Sequence, residues 1–308
     1  MIWYLPVGLA LSIVLSLLFP IPGAWLNELG CLPFVIALIF VINGIQTTVN
    51  DVKVGDGFSK TLASAFFINL IVAPIIGWMC FYFLNIEIAF IIGLVVMCVM
   101  PPTLSSCVVL TRLVGGNAQW SLWFTLLLNF IGILTIPITL SLIIGKGIHI
   151  DGWNLLFKLT SMVALPFAVG MLLRHYIDVS GFIGKLKHWP TLLVISGAWM
   201  TLSSSQQELL SVSFLSLIVI LALSGLIHCL LLLSCFILQK WAKFPFANYM
   251  ALLFTASQKT MPIAVSVVVA IDSKLGLAII VCVIFHTLQM LIDSTLAAYI
   301  SKRKIVNS

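Results

Sequence analysis

Apolar runs longer than about 18 residues recur from one end of this chain to the other, each long enough to cross a bilayer as a helix. A chain that crosses hydrocarbon many times has little room for any other architecture. The bulk counts agree: of 308 residues, 62% are hydrophobic and 8% charged, with a mean hydropathy of +1.22. A soluble chain carries about 25% charged residues. Disorder, a secreted disulfide scaffold and an ordinary cytosolic enzyme are excluded. The reading is an all-α integral membrane protein.

The minor counts fit. All seven cysteines (31, 80, 98, 107, 229, 235 and 282) fall in apolar stretches without a CxxC pair, as expected of small buried hydrophobes. The net charge of +6 is scattered between hydrophobic runs, which suits membrane orientation better than nucleic-acid binding. The N-terminal stretch lacks a basic region and a small-x-small cleavage site, so it is expected to be a retained first helix.

Hydropathy divides the chain into ten spans, near 3–19, 31–48, 61–84, 88–112, 119–145, 154–174, 190–204, 211–237, 246–271 and 276–300. The short connections leave one transmembrane domain, 1–308. With ten spans both termini share a side. That side collects Lys53, Lys60, Arg112, Arg174, Lys185, Lys187, Lys240, Lys243, Lys302, Arg303 and Lys304. The opposite loops hold only Lys146 and Lys274. The positive-inside rule therefore predicts cytoplasmic termini, in a plasma membrane or, for a prokaryote, the inner membrane.

Two spans are interrupted. The fourth contains MPPTLSS at 100–106 and the ninth TASQKTMP at 255–262. Pro101 and Pro102 remove two successive backbone donors and clash with the preceding turn; Pro262 follows a polar cluster. Broken helices at membrane depth are tolerated only where they are buried in protein or line a wet cavity. Breaks in spans four and nine, at corresponding places in two five-span halves of about 1–145 and 153–300, predict inverted repeats and a transporter.

Lys259 is the most informative residue. It is the fourteenth of 26 residues in span nine, where a lysine costs about 2.5–3.5 kcal/mol and usually serves function. The plainer alternative is a structural cation holding carbonyls of the break. Asp293, the acid clearly inside a span, is its candidate ion-pair partner. Lys259, Ser257, Thr260 and Thr103 form the candidate substrate or coupling set. Ser105, Ser106, Ser121 and Thr125 offer hydroxyl oxygens, and Ser121 and Thr125 share a helix face; such oxygens suit sodium, although hydroxyls are also common helix contacts in membranes. His228, His286, Asn129 and Gln289 read as satisfied core groups. Motifs for metalloproteases, serine hydrolases, intramembrane aspartyl proteases and phosphate loops are missing, so no enzyme is expected.

The stretch PPTLSSCVVLTRLVGGNAQWSLWFT (101–125), followed by a second broken helix, resembles the bile acid:sodium symporter superfamily, in particular its SBF-like branch. The resemblance implies a panel of helices one, two, six and seven and a core of helices three to five and eight to ten. It implies transport of organic anions such as bile acids, sulfated steroids or small carboxylates by movement of core against panel. It also implies two sodium sites. The first uses Ser121 and Thr125, four and eight residues after Asn117, with only an approximate match at Ser105 and Ser106. The second uses Asn69, five residues before Pro74, where the family has glutamine, and Gln258.

The family's helix-nine glutamate has no equivalent here. Phe254, Thr255 or Ser257 falls at its place, and Lys259 follows. Coulomb repulsion in low dielectric opposes two sodium ions beside an ammonium. Lys259 is then expected to replace at least one sodium or to bind the substrate anion, with coupling to a proton, to one sodium or to nothing. A proton-coupled antiporter and a membrane regulator of ion homeostasis are the alternatives. No cofactor is expected beyond that sodium ion or proton; the partners are a small organic anion and the lipid bilayer, and no nucleic acid.

Overall fold

The computed structural model describes residues 4–47, 55–145, 151–176, 186, 188–271 and 275–306. Among them every regular element is a helix: α1 (Tyr4–Leu18), α2 (Pro20–Glu28), α3 (Cys31–Gln46), α4 (Phe58–Phe83), α5 (Ile88–Val99), α6 (Ser106–Leu113) and α7 (Ala118–Ile144). There follow α8 (Gly152–Tyr176), α9 (Trp189–Ser204), α10 (Gln206–Ser211), α11 (Phe214–Ala242), α12 (Phe246–Ser257), α13 (Met261–Ile271) and α14 (Gly276–Val306). Among the described residues, six apolar helical segments are long enough to cross a membrane, or seven if the bent α1–α2 pair is one span; α3 and α5 are shorter apolar helices. Lys53, Lys146, Lys185, Lys187 and Lys274, which enter the orientation argument, lie outside the described residues.

Local chemistry sets the boundaries. Asn117 caps α7 by accepting from Trp120 N at 3.1 Å, and Asp151 caps α8 by accepting from Trp153 N and Asn154 N. Ser213 does the same for α11, each satisfying an amide that the first turn leaves free. Gly115, at φ +73°, turns the chain between α6 and α7. α1 ends at Leu18, close to the expected limit of the first span; the chain then bends by 97° and continues as α2. Pro20 cannot donate into the helix before it but suits the first position of the next.

Prolines act inside helices as well. In α4 a wide turn spans Ile68–Val72, where Ala73 N–H reaches back to Ile68 O, and Pro74 follows. In α8 the same arrangement covers Thr160–Ala164 ahead of Pro166. A wide turn absorbs the ring that a regular turn would exclude. The α4 turn buries Asn69 completely.

Two groups of helices pack together. One comprises α1, α2, α3, α8 and α9; the other contains α4–α7 and α11–α14. The α12–α13 pair is the most enclosed of the long segments and contacts α4, α6, α7, α11 and α14 within its group. Both broken pairs, α5–α6 and α12–α13, thus lie in the second group. α3 and α8 approach to backbone contact at Gly44 and Gly170.

Candidate functional site

α5 ends at Val99 and α6 begins at Ser106. The gap frees three successive carbonyls, and each finds a donor, two on the second break and one on α7. Met100 O accepts from Lys259 Nζ at 2.9 Å, Pro101 O from Thr260 N at 2.8 Å and Pro102 O from Asn129 Nδ2 at 2.9 Å. The second break, residues 258–260 between α12 and α13, meets the first through two of these bonds. Gln289 holds its other side: Lys259 N donates to Gln289 Oε1 at 2.8 Å, and Gln289 Nε2 donates to Lys259 O at 3.1 Å. His286 Nδ1 also donates to Lys259 O, at 3.1 Å. Buried backbone groups left unmade would cost about 1–3 kcal/mol each.

Lys259 is fully buried. Its Nζ sits at the carboxy end of α5, where the helix dipole is negative. The expected ion pair with Asp293 is not formed: Asp293 Oδ1 instead lies 2.8 Å from His228 Nε2. His228, read as a lone core histidine, is thus half of a buried acid–imidazole pair. Asp293 Oδ2 accepts from Gln258 Nε2 at 2.7 Å. That turns Gln258 Oε1 toward α6, where it accepts from Thr103 Oγ1 at 2.8 Å, Ser106 Oγ at 2.7 Å and Cys107 Sγ at 3.1 Å. Thr103 and Ser106 hydroxyls also touch each other.

The other candidate oxygens divide. Ser121 Oγ pairs with Thr255 Oγ1 at 2.9 Å, and Thr125 donates to Ser121 O at 2.7 Å. Asn69 Nδ2 makes a long bond of 3.4 Å to Ala256 O, near the carboxy end of α12, and its Oδ1 is buried without a partner. Ser257 donates to Leu253 O. Ser105 stands apart, exposed on the break. Gln258 therefore joins Thr103 and Ser106, while Ser121, Thr125, Thr255 and Asn69 gather nearer the end of α12.

Between the two helix groups lies a cavity of about 70 Å³. One wall is Ile39 and Asn43 of α3 with Pro190, Thr191 and Val194 of α9. The other is Thr103–Ser106, Thr260, Pro262 and His286, so the amino ends of α6 and α13 both border it. Helix amino ends carry unpaired amides and partial positive charge. Pro101 and Pro102 lie in the first break behind this wall, and Pro262, the second residue of α13, borders the cavity. Asn43 and Thr191 escape sequence reasoning, being isolated polar residues in apolar spans; only tertiary packing brings them here.

Residues 3–302 match the sequence profile of the SBF-like CPA transporter family. A probable sodium/metabolite cotransporter BASS4, chloroplastic, from Oryza sativa subsp. indica is 29% identical over 324 residues, covering 97% of this chain and 76% of that protein. The protein of the same description from Arabidopsis thaliana is 34% identical over 223 residues, 66% of this chain and 51% of its own. Sodium/bile acid cotransporter 7 of Mus musculus is 26% identical over 205 residues, 64% and 60% of the two chains.

Proposed function

This chain belongs to the SBF-like CPA transporter family, and from that premise we propose that it is a secondary active transporter of a small organic anion, with Lys259 in the place of a coupling cation. The cavity carries the reading. It lies between two helix groups and is bordered on one side by two helix amino ends, the arrangement that binds an anion at membrane depth.

The ten spans form two inverted halves, with α1–α3, α8 and α9 as the panel and the remaining long helices as the core. Motion of core against panel exposes the cavity to each side of the membrane in turn. Relatives named as sodium/metabolite and sodium/bile acid cotransporters support a small-molecule substrate. The protein sits in the plasma membrane, or the inner membrane of a prokaryote, with both termini cytoplasmic.

Lys259 does not border the cavity; its ammonium meets Met100 O instead. That favours the tethered-cation role over direct substrate binding. The carboxy end of α5 receives a covalently attached positive charge where a mobile cation would otherwise lie. The carboxy end of α12 is met by an amide, Asn69, whose oxygen is free. Any remaining sodium belongs there, so coupling involves at most one sodium ion.

Proteoliposomes test the transport claim. Saturable uptake of a radiolabelled small carboxylate, reduced at least about tenfold by Thr260→Val or Asn43→Leu, is expected from the loss of hydrogen bonds to a charged ligand. Absence of saturable uptake across a series of carboxylates by folded protein would refute it.

A further inference from the structure

Hydrogen-bond accounting on the cavity's core wall narrows the substrate. Asp293 Oδ2 accepts from Gln258 Nε2 at 2.7 Å, and its Oδ1 lies 2.8 Å from His228 Nε2. Gln258 is thereby pinned with its oxygen toward Thr103, Ser106 and Cys107. Each hydroxyl has one proton to give, and the protons of Thr103 and Ser106 go to that oxygen or to each other. Toward the cavity these two residues retain lone pairs and no donor.

His286 adds a third acceptor independently. Its Nδ1 faces the carbonyl of Lys259 at 3.1 Å, and a carbonyl only accepts, so the proton of the neutral ring is on Nδ1. Nε2 keeps its lone pair, and His286, 2% exposed, borders the cavity. One wall therefore offers three acceptors beside helix amino ends that favour negative charge, together with the hydroxyls of Ser105 and Thr260, which can donate or accept. A plain carboxylate satisfies the amides and leaves the acceptors facing a ligand with nothing to donate.

We infer that the substrate is a small carboxylate bearing its own hydrogen-bond donor, a hydroxyl or an ammonium group, and that Asp293 with His228 is a positioning pair that sets this preference by fixing the Gln258 amide. The inference rests on the reading that this cavity holds the transported anion. A site of about 70 Å³ admits a few non-hydrogen atoms, which makes the donor a near neighbour of the carboxylate.

The test is ligand binding to the purified full-length protein at neutral pH, by calorimetry, using matched probes: lactate against propionate, with alanine to separate hydroxyl from ammonium. Lactate or alanine binding about tenfold or more tighter than propionate is expected, the worth of a hydrogen bond that would otherwise be left unmade. In Gln258→Leu the hydroxyls of Thr103 and Ser106 are released to donate, and the preference falls severalfold, to what the His286 acceptor alone sustains. Gln258→Glu, whose carboxyl shares a proton with Asp293 because the two cannot both ionise at this distance, keeps an acceptor oxygen for Thr103 and Ser106 and retains the preference. His286→Leu lowers it by removing one acceptor without touching Gln258, and so serves if Gln258→Leu fails to fold. Equal binding of lactate and propionate by wild type overturns the inference while leaving anion transport intact. So does failure of all three probes to bind, or stabilisation by sodium alone with no gain from the donor-bearing probes. Loss of the preference in Gln258→Glu as fully as in Gln258→Leu would remove the positioning role.

Discussion

At the residue scale, the account turns on buried polar groups that satisfy one another. Asp293 joins His228 on α11 to Gln258 at the second break, all three fully buried. Asp293→Leu leaves two buried donors unmet and should cost on the order of 3 kcal/mol. Asp293→Asn keeps an oxygen for Gln258, while His228 can change tautomer to accept from the new amide, so it should cost less than half as much. Thermal unfolding of the two variants in detergent checks the order; equal losses would mean that the carboxylate only fills space. The sequence marks Asp293 and Lys259 because charged residues inside apolar spans are conspicuous. It does not disclose their partners. Asp293 and His228 are 65 positions apart, and it is packing that turns this acid of α14 to meet both α11 and the break. Ser105 and Ser106 show the same limit, being neighbours in sequence yet differing in exposure and bonding.

Elements carry the next level of constraint. Gly44 and Gly170 let α3 and α8 touch backbone to backbone: a Cβ at Gly170 would lie 2.1 Å from Val41 O, and one at Gly44 2.3 Å from Phe167 O. A carbonyl cannot swing aside as a side chain can. Gly170→Ala should therefore destabilise by about 1–3 kcal/mol, the usual range for overpacking. Gly152→Ala, in the first turn of α8 with only Ser141 Oγ at 3.6 Å, should be neutral or stabilising because alanine favours the helix by up to about 1 kcal/mol. Melting temperatures of the two variants decide the matter. Both breaks are legible in the sequence because paired prolines and a polar cluster have few other uses inside an apolar run. The wide turns before Pro74 and Pro166 are not, since a proline predicts disruption without saying how the helix absorbs it. α2 is missed for a related reason: Pro20 and Pro22 suggest a loop, yet proline is acceptable at a helix start.

For the whole molecule, the asymmetry between helix ends is the feature with the widest consequence. Lys259 Nζ meets Met100 O at the end of α5, whereas the Asn69 amide meets the end of α12. The proposed orientation predicts that a fluorescent protein fused after Ser308 fluoresces in the cytoplasm, and a periplasmic or external signal would reverse the assignment of sides. The measurement closest to the central claim is a thermal-shift comparison of purified wild type and Lys259→Ala with sodium varied against potassium at constant ionic strength. A cation that binds the folded state raises its apparent stability by mass action. The account predicts that sodium-specific stabilisation is larger in Lys259→Ala than in wild type, because the variant reopens the place the ammonium holds. Sodium-specific stabilisation of wild type that is unchanged or lost in Lys259→Ala would contradict it.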